Sequence, residues 1–213
     1  MTPSAFVSIE KRDSDKDSFT NIEEILAKSN PGDFASNPQK TTDWLSRIEE
    51  SMLPLNELKK IFPDINKFSA LEGTLFPEQG KIIEKDLNKK LTEVDSVPTF
   101  YFAIKDQNGK PLRTGVALFS SPNKNPEKLI VGIGVDLSGK IRNIVLIKNK
   151  LSKTLAEQTF LNQFKEKTYE SALQINKDIQ PAAGNLIVES DQVVEAVKKS
   201  LLIIRAVFSK EKN

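Results

Sequence analysis

From Pro98 onward, the sequence contains two pairs of runs rich in β-branched and aromatic residues, and a short turn-forming segment joins the two runs of each pair. The first pair is 99–104 and 114–119 with the turn 106–109, and the second is 129–135 and 141–147 with the turn 136–139. Such runs around turns that contain Gly together with Asp, Asn or Ser predict β-hairpins. The four antiparallel strands that result constrain the fold more than any other feature.

Outside these hairpins, the apolar residues recur at helical spacing. The helical segments are 21–27, 42–61 with a bend at Pro54, 78–91, 155–164 and a last helix capped by Ser190 or Asp191. Strands followed by helices predict an α+β fold. We therefore expect an antiparallel sheet of two hairpins packed with helices, and an N-terminal helical extension.

The domain organisation predicted from these patterns has four parts. Residues 1–40 are rich in Asp, Ser, Asn, Lys and Pro, and include a charged patch from Glu10 to Asp17. This composition predicts a mobile arm with one short helix. Helical residues 41–97 would lead into the α+β domain at 98–208, and 209–213 would form a tail.

Composition excludes several classes of function. The 213 residues include 31 Lys and Arg and 29 Asp and Glu, and the net charge of +2 gives no reason to expect a nucleic-acid partner. The chain has neither Cys nor His, which excludes thiol nucleophiles, imidazole-based triads and metal sites made of these residues. No carboxylate pair stands out, so we expect no independent catalytic constellation and no enzyme activity of the chain itself.

The apolar runs and the N-terminus bear on membranes and location. The apolar runs are far shorter than the roughly 20 residues that a membrane span requires, so we expect no transmembrane segment. Residues 1–16 lack the apolar centre of a secretory signal, which predicts either a cytoplasmic protein or a mature form.

A glycine-containing loop at 178–190 (DIQPAAGNLIVES) precedes the last helix. With this loop, the order of the parts resembles the FMN-binding domain of the flavin-carrying C and G subunits of ion-pumping NADH oxidoreductases and of extracytoplasmic electron carriers. The resemblance covers about 58–202 and depends on five segments: 58–68 (LKKIFPDINKF), 98–103 (PTFYFA), 131–141, 160–167 (FLNQFKEK) and 178–197.

The family's attachment motif is altered in this sequence. In the family, an Asp and a segment around a Ser or Thr precede Gly-Ala-Thr, and the threonine carries FMN through a phosphodiester bond. Gly184 matches the glycine, whereas Ala183, Asn185 and Leu186 replace the hydroxyl residue, the alanine and the acceptor threonine. Leucine has no oxygen to esterify, so covalent attachment would have to move to Ser190.

Two acidic neighbours make attachment at Ser190 unfavourable. Glu189 and Asp191 flank Ser190 and would repel a phosphate. The resemblance therefore implies non-covalent FMN near Gly184, with electron transfer beside a membrane-associated redox protein outside the cytoplasm. The candidate cofactor-binding residues are Asp178, Gly184, Asn185, Leu186, Ser190 and Tyr101, and a slot for the flavin ring could be lined by Phe100, Tyr101, Phe102 and Phe119.

The alternative is a flavin-free, degenerate family member that acts as an interaction or scaffold module. Lys140, Arg142 and Lys148 have even spacing in a segment without acidic residues and could dock an acidic partner. Each of these features also has a structural interpretation: strand aromatics as core, strand cations as a solvated sheet edge, and Ser190 as a helix cap.

Overall fold

The structure is a computed structural model, and it describes residues 7, 9–34, 36–39 and 53–208. The chain divides into two compact units, Met1–Leu53 and Pro54–Asn213. The helical stretch predicted at 42–52 and the tail predicted at 209–213 lie outside the described residues.

The N-terminal unit contains a loop at 13–20 and a short helix, α1 (Asn21–Leu26). A capping box begins this helix: the Glu23 amide donates to Thr20 Oγ1 at 3.4 Å, and the Thr20 amide donates to the Glu23 carboxylate at 2.8 Å. The helix predicted at 21–27 is confirmed, with Ala27 as its C-cap.

The second unit is built on a five-stranded antiparallel sheet in which each strand pairs with the next along the chain. The strands are β1 (Lys67–Glu72), β2 (Thr99–Gln107), β3 (Lys110–Ser120), β4 (Leu129–Asp136) and β5 (Ile141–Asn149). The α+β class and both hairpins are confirmed. In the β2–β3 turn, Asn108 and Gly109 have φ of +57° and +75°, the conformation that a two-residue hairpin loop requires.

Strand β1 adds a fifth strand that the sequence analysis did not predict. It pairs with β2 along the whole of its length, from Lys67 opposite Ile104 to Glu72 opposite Thr99. Only Phe68 of its six residues is buried. An edge strand with one buried side chain has little of the alternating pattern that identifies a strand in sequence.

Helices cover both faces of the sheet. On one face lie α5 (Ile187–Phe208) and α3 (Pro77–Leu87). Phe208 of α5 contacts strand β2 there, because its ring centroid is 4.8 Å from that of Phe100 and 5.6 Å from that of Phe102. On the other face lies α2 (Leu55–Ile61), which extends along glycines of β3 and β4. A Cβ at Gly134 would overlap the Ile61 side chain, so α2 can pack this closely only against glycine.

Two of the predicted helices have different bounds in the structure. Residues 155–164 form the four-residue helix α4 (Gln158–Leu161) between two 3₁₀ turns, because Glu157 is extended and interrupts the helix. Helix α3 ends at Leu87 rather than at residue 91, because Asn88 takes the left-handed conformation with φ of +55°. The predicted end of α2 before Pro63 is confirmed.

The predicted cap of the last helix is wrong. Helix α5 begins at Ile187, and the Ser190 amide already donates to the Leu186 carbonyl at 2.9 Å. Ser190 and Asp191 therefore lie inside the helix. Apolar Ile187 and Val188 are exposed in its first turn, and this breaks the periodicity from which the start was predicted.

A buried ion pair fixes α5 to the segment before β2. Lys199 Nζ donates to Asp95 Oδ2 at 2.9 Å and to Asn123 Oδ1 at 3.2 Å, and both charged side chains are at most 8% exposed.

Among the helices of the described residues, none combines the length and the apolar character that crossing a membrane requires.

Candidate functional site

The loop that was predicted to hold a flavin lies at the N-terminal end of α5. Gly184 and Asn185 have φ of +84° and +59°, and both are exposed. Leu186 is half-buried and packs against the core. The loop thus exposes its backbone and the Asn185 carboxamide to solvent, whereas the Leu186 side chain packs inward.

Ser190 and Asp178 hold this loop in place. Ser190 is fully buried, and its Oγ accepts a hydrogen bond from the Ala182 amide at 2.9 Å. The Asp178 carboxylate accepts from the amides of Leu173 at 3.0 Å and Gln174 at 2.8 Å. A phosphodiester on Ser190 would require this buried hydroxyl to leave its partner and become accessible.

The electrostatics of Asp178 agree with a structural role. Burial raises its pKa, but the hydrogen bonds from Gln174 and Leu173 and the Lys167 ammonium, 3.4 Å away, lower the pKa by more. The net effect holds the pKa below its ordinary value. Asp178 is therefore an ionised acceptor whose oxygens are already engaged by the backbone and by a lysine.

Tyr101 lies on the opposite face of the sheet from Phe100 and Phe102. Its ring is 5.0 Å from the Phe119 ring, and Phe119 packs beside Gly132 with Ile61 of α2. Burial raises the Tyr101 pKa. The structure places Gly184, Asn185, Leu186 and Ser190 at the N-terminal end of α5, whereas Asp178 contacts Leu173, Gln174 and Lys167, and Tyr101 lies on the other face of the sheet.

The cations predicted to form a basic docking surface have acidic neighbours. Lys140 Nζ is 3.1 Å from Glu166 Oε2, and Arg142 Nη2 is 3.7 Å from Asp64 Oδ1. Arg142 also lies over the Phe62 ring, with its Cζ 6.0 Å from the ring centroid. Two of the three cations of the predicted surface are thus each paired with a carboxylate.

A cleft of about 540 Å³ opens at the other end of α5. The cleft lies between the last two turns of α5, strands β2 and β3, the β4–β5 turn and Tyr169; we call it the α5 cleft. Its apolar lining includes Phe102, Val116, Leu201, Ile204 and Phe208, and its polar lining includes Arg113, Asp136, Ser138, Tyr169 and Arg205. From Ile187 to Arg205 the helix rises roughly 27 Å, so this cleft is remote from Gly184.

Two arginines in the α5 cleft lie over aromatic rings. Cζ of Arg113 is 4.1 Å from the centroid of the Phe102 ring, and Cζ of Arg205 is 4.4 Å from that of Tyr169. Arg205 also reaches Asp86, at 3.4 Å on the exposed side. Among the described residues, no carboxylate lies within salt-bridge distance of Arg113. Stacking on a ring orients each guanidinium group and leaves N–H donors at its edge.

Asp136 is the acidic group of the α5 cleft. Its Oδ1 accepts from the Ser138 amide at 2.8 Å, the Ser138 hydroxyl at 2.7 Å and the Lys140 amide at 3.1 Å. Burial raises its pKa, but these hydrogen bonds and the Lys140 charge lower it by more, so the pKa lies below its ordinary value. The cleft thus combines an apolar wall, two oriented cations and an ionised acceptor.

No local sequence pattern predicts the α5 cleft. Its residues come from five separate segments, and none of them forms a motif at fixed spacing. Phe102 was named as a possible ring contact, but Arg113, Tyr169 and Arg205 were not singled out. Their proximity depends on how α5 crosses the sheet, which the sequence pattern does not specify.

Comparisons with models of protein families, with curated proteins and with solved structures found no match to this chain. A function must therefore be inferred from the arrangement of its own residues.

Proposed function

We propose that this protein binds FMN non-covalently in the α5 cleft and acts as a flavin-dependent electron carrier. The observation that supports this proposal is the stacking of Arg113 on Phe102 and of Arg205 on Tyr169 at the edge of an apolar cleft. Arginine donors suit phosphate oxygens, and rings with aliphatic side chains suit a planar heterocycle. FMN has both groups, and the sequence resemblance also implies FMN.

The α5 cleft fits this ligand better than the Gly184 loop does. At the loop, the oxygens of Ser190 and Asp178 are engaged in holding the backbone, and Leu186 faces inward. In the cleft, by contrast, Arg113 has no carboxylate partner among the described residues. The proposal therefore keeps the ligand implied by the resemblance and moves its site along α5.

In this proposal, the chain's residues bind and orient the ligand. Arg113 and Arg205 would hold the phosphate, and Phe102 and Phe208 would exclude water from one side of the ring. The ionised Asp136 would favour hydrogen-bond donors of the ligand over a second anion. The bound flavin would supply the redox chemistry, and a membrane-associated redox protein outside the cytoplasm would be the partner implied by the resemblance.

Titration of the full chain with FMN and with riboflavin, followed by flavin fluorescence, tests the site. Riboflavin lacks the phosphate. We expect FMN to bind about tenfold more tightly or better, because one hydrogen bond to a charged group contributes about 1.5–3 kcal/mol. Arg113→Gln should remove most of this difference and leave riboflavin binding nearly unchanged.

Arg142→Gln is the matched control, because Arg142 stacks over Phe62 on the α2 side of the sheet and should not affect either ligand. If Asn185→Ala weakens FMN binding and Arg113→Gln does not, the flavin site lies at the Gly184 loop. Flavin that stays with the acid-precipitated protein from its own host would mean covalent attachment. A chain that binds neither flavin would leave the flavin-free interaction module as the function.

A further inference from the structure

The N-terminal unit has oxygen-bearing residues at a spacing that the flavin proposal does not involve. Asp13, Asp15, Asp17, Asn21 and Glu24 occupy positions 1, 3, 5, 9 and 12 of a twelve-residue segment, residues 13–24. The EF-hand type of Ca²⁺ loop takes its side-chain ligands from these positions, with a carboxylate at position 12 that binds through both oxygens. Such spacing alone does not make a site, because exposed acidic clusters also occur without a cation.

The geometry brings the first three carboxylates together. One oxygen from each of Asp13, Asp15 and Asp17 lies within 4.8 Å of the others. The loop amides fold around them: Ser18 donates to Asp13 Oδ2 at 2.9 Å, and Phe19 donates to Asp17 Oδ1 at 3.0 Å. These hydrogen bonds fix the carboxylates, but they leave three negative charges close to one another.

Buried oxygens without hydrogen-bond partners are the independent sign of a ligand. Among the described residues, six buried side-chain oxygens have no partner, and four belong to this segment: Asp15 Oδ2, Asp17 Oδ2, Asn21 Oδ1 and Glu24 Oε2. Glu24 is fully buried and Asn21 is 2% exposed. A buried polar atom without a partner is costly, and a buried carboxylate oxygen more so.

Asn21 and Glu24 each keep one free oxygen beside the aspartate segment. Asn21 Nδ2 donates to the Ile9 carbonyl at 2.7 Å, so its Oδ1 points the other way. Glu24 is buried with Asp15, Asp17 and Asp13 as the charged groups around it, and its Oε1 accepts from Ser29 Oγ at 3.4 Å, which leaves Oε2 free. One divalent cation at this point would satisfy all four oxygens.

We propose that residues 13–24 form a Ca²⁺ site in which Asp13, Asp15, Asp17, Asn21 and Glu24 are the side-chain ligands and Phe19 contributes its carbonyl. Each of the first four side chains supplies one oxygen, Glu24 supplies two, and the carbonyl makes seven. Seven oxygens suit Ca²⁺, whereas Mg²⁺ requires a smaller octahedral shell and zinc prefers nitrogen or sulfur ligands. The loop's position 6, usually glycine because φ is positive there, is Ser18 with φ of +82°.

Isothermal titration of the EDTA-treated full chain with CaCl₂ tests the site in the absence of flavin. We expect one Ca²⁺ per chain with a Kd between about 10⁻⁷ and 10⁻³ M, and no displacement by a tenfold excess of Mg²⁺ over Ca²⁺. Glu24→Gln should weaken Ca²⁺ binding about tenfold or more, because affinity depends on the number of charged ligands. Glu10→Gln removes a nearby carboxylate outside the ligand set and is the matched control.

A second variant separates loss of a ligand from loss of folding. Asp15→Asn preserves the side-chain shape and removes one charge, and amide exchange in α1 without Ca²⁺ shows whether either variant retains the helix. Weaker binding in a variant that retains α1, with Glu10→Gln unchanged, supports the site. Absence of binding at 10 mM Ca²⁺, equal affinity in Glu24→Gln and the unaltered chain, or equal affinity for Mg²⁺ would overturn it.

Discussion

At the scale of single residues, existing hydrogen bonds decide whether a polar side chain can serve a ligand. Asp178 and Ser190 were predicted to contact FMN, yet their oxygens accept hydrogen bonds from backbone amides of the chain itself. Arg113 was not singled out, and it stacks on a ring without a carboxylate partner in the described part of the chain. Residue type narrows the choice of ligand atoms, but only the surrounding contacts show which atoms are free.

Asp178→Asn tests whether Asp178 holds the loop before α5. We expect the free energy of unfolding to fall by about 1 kcal/mol near pH 7, because a carboxamide accepts less strongly from the amides of Leu173 and Gln174 and loses the Lys167 ion pair. The pKa of Asp178 is lower in the folded protein than in the unfolded chain. Its contribution is therefore fully present above the ordinary carboxyl pKa and is lost as pH falls through the folded value.

Urea unfolding at pH 7 and near pH 2.5 measures this difference. The unaltered protein and Asp178→Asn should differ in free energy of unfolding at the higher pH and differ less at the lower. Glu127→Gln changes an exposed turn residue and is the control. Its free energy of unfolding should stay within about 0.5 kcal/mol of that of the unaltered protein at both pH values. A difference that is the same at both pH values would mean that the charge of Asp178 does not stabilise the loop.

At the scale of elements, local patterns predicted the sheet better than the helices around it. Both hairpins could be read from the sequence because their strands and turns are contiguous. The edge strand β1 could not, since only Phe68 of its residues is buried. The spacing from Asp13 to Glu24 is present in the sequence, but the composition of residues 1–40 predicted only a mobile arm with a short helix. The α5 cleft depends on a crossing between distant elements and has no local signature.

The packing of α2 on the sheet can be tested at Gly134. A Cβ there would overlap Ile61, so we expect Gly134→Ala to lower the free energy of unfolding by about 1–3 kcal/mol. In an Ile61→Ala background the nearer of the two obstructing side chains is gone, and the Phe62 ring, 2.9 Å from the added Cβ, remains. Gly134→Ala should then lower the free energy of unfolding by less than it does in the unaltered protein. The two positions contact each other, so their effects on stability do not add.

Gly80→Ala is the control for this double-mutant cycle. Gly80 lies within α3, and a Cβ there meets nothing within 4 Å. This substitution should raise stability by about 0.5–1 kcal/mol, because alanine favours the helix and restricts the unfolded chain. Strict additivity of Gly134→Ala and Ile61→Ala, measured by chemical denaturation, would show that α2 does not pack on β4 as described.

At the scale of the whole molecule, the small net charge of +2 conceals two local charge patterns of opposite sign. The segment 13–24 of the first unit gathers carboxylates, whereas the α5 cleft of the second unit contains two arginines over rings. One pattern suits a hard cation and the other an aromatic anion. The balanced composition argued against a nucleic-acid partner, but it gave no information about these two sites.

Hydrogen exchange across the full chain can locate both proposed ligands in one experiment. We expect Ca²⁺ to slow amide exchange within 13–24, and FMN to slow it around Phe102 of β2 and at 113–116 of β3, at the β4–β5 turn and in the last turns of α5. At a ligand concentration of about 100 Kd, local opening that requires release of the ligand should become about 100-fold rarer. Glu24→Gln should reduce the Ca²⁺ effect about tenfold or more, and Arg113→Gln should weaken the FMN effect. Protection by FMN at 182–190 would place the flavin at the Gly184 loop, because ligand contact suppresses opening where the ligand binds.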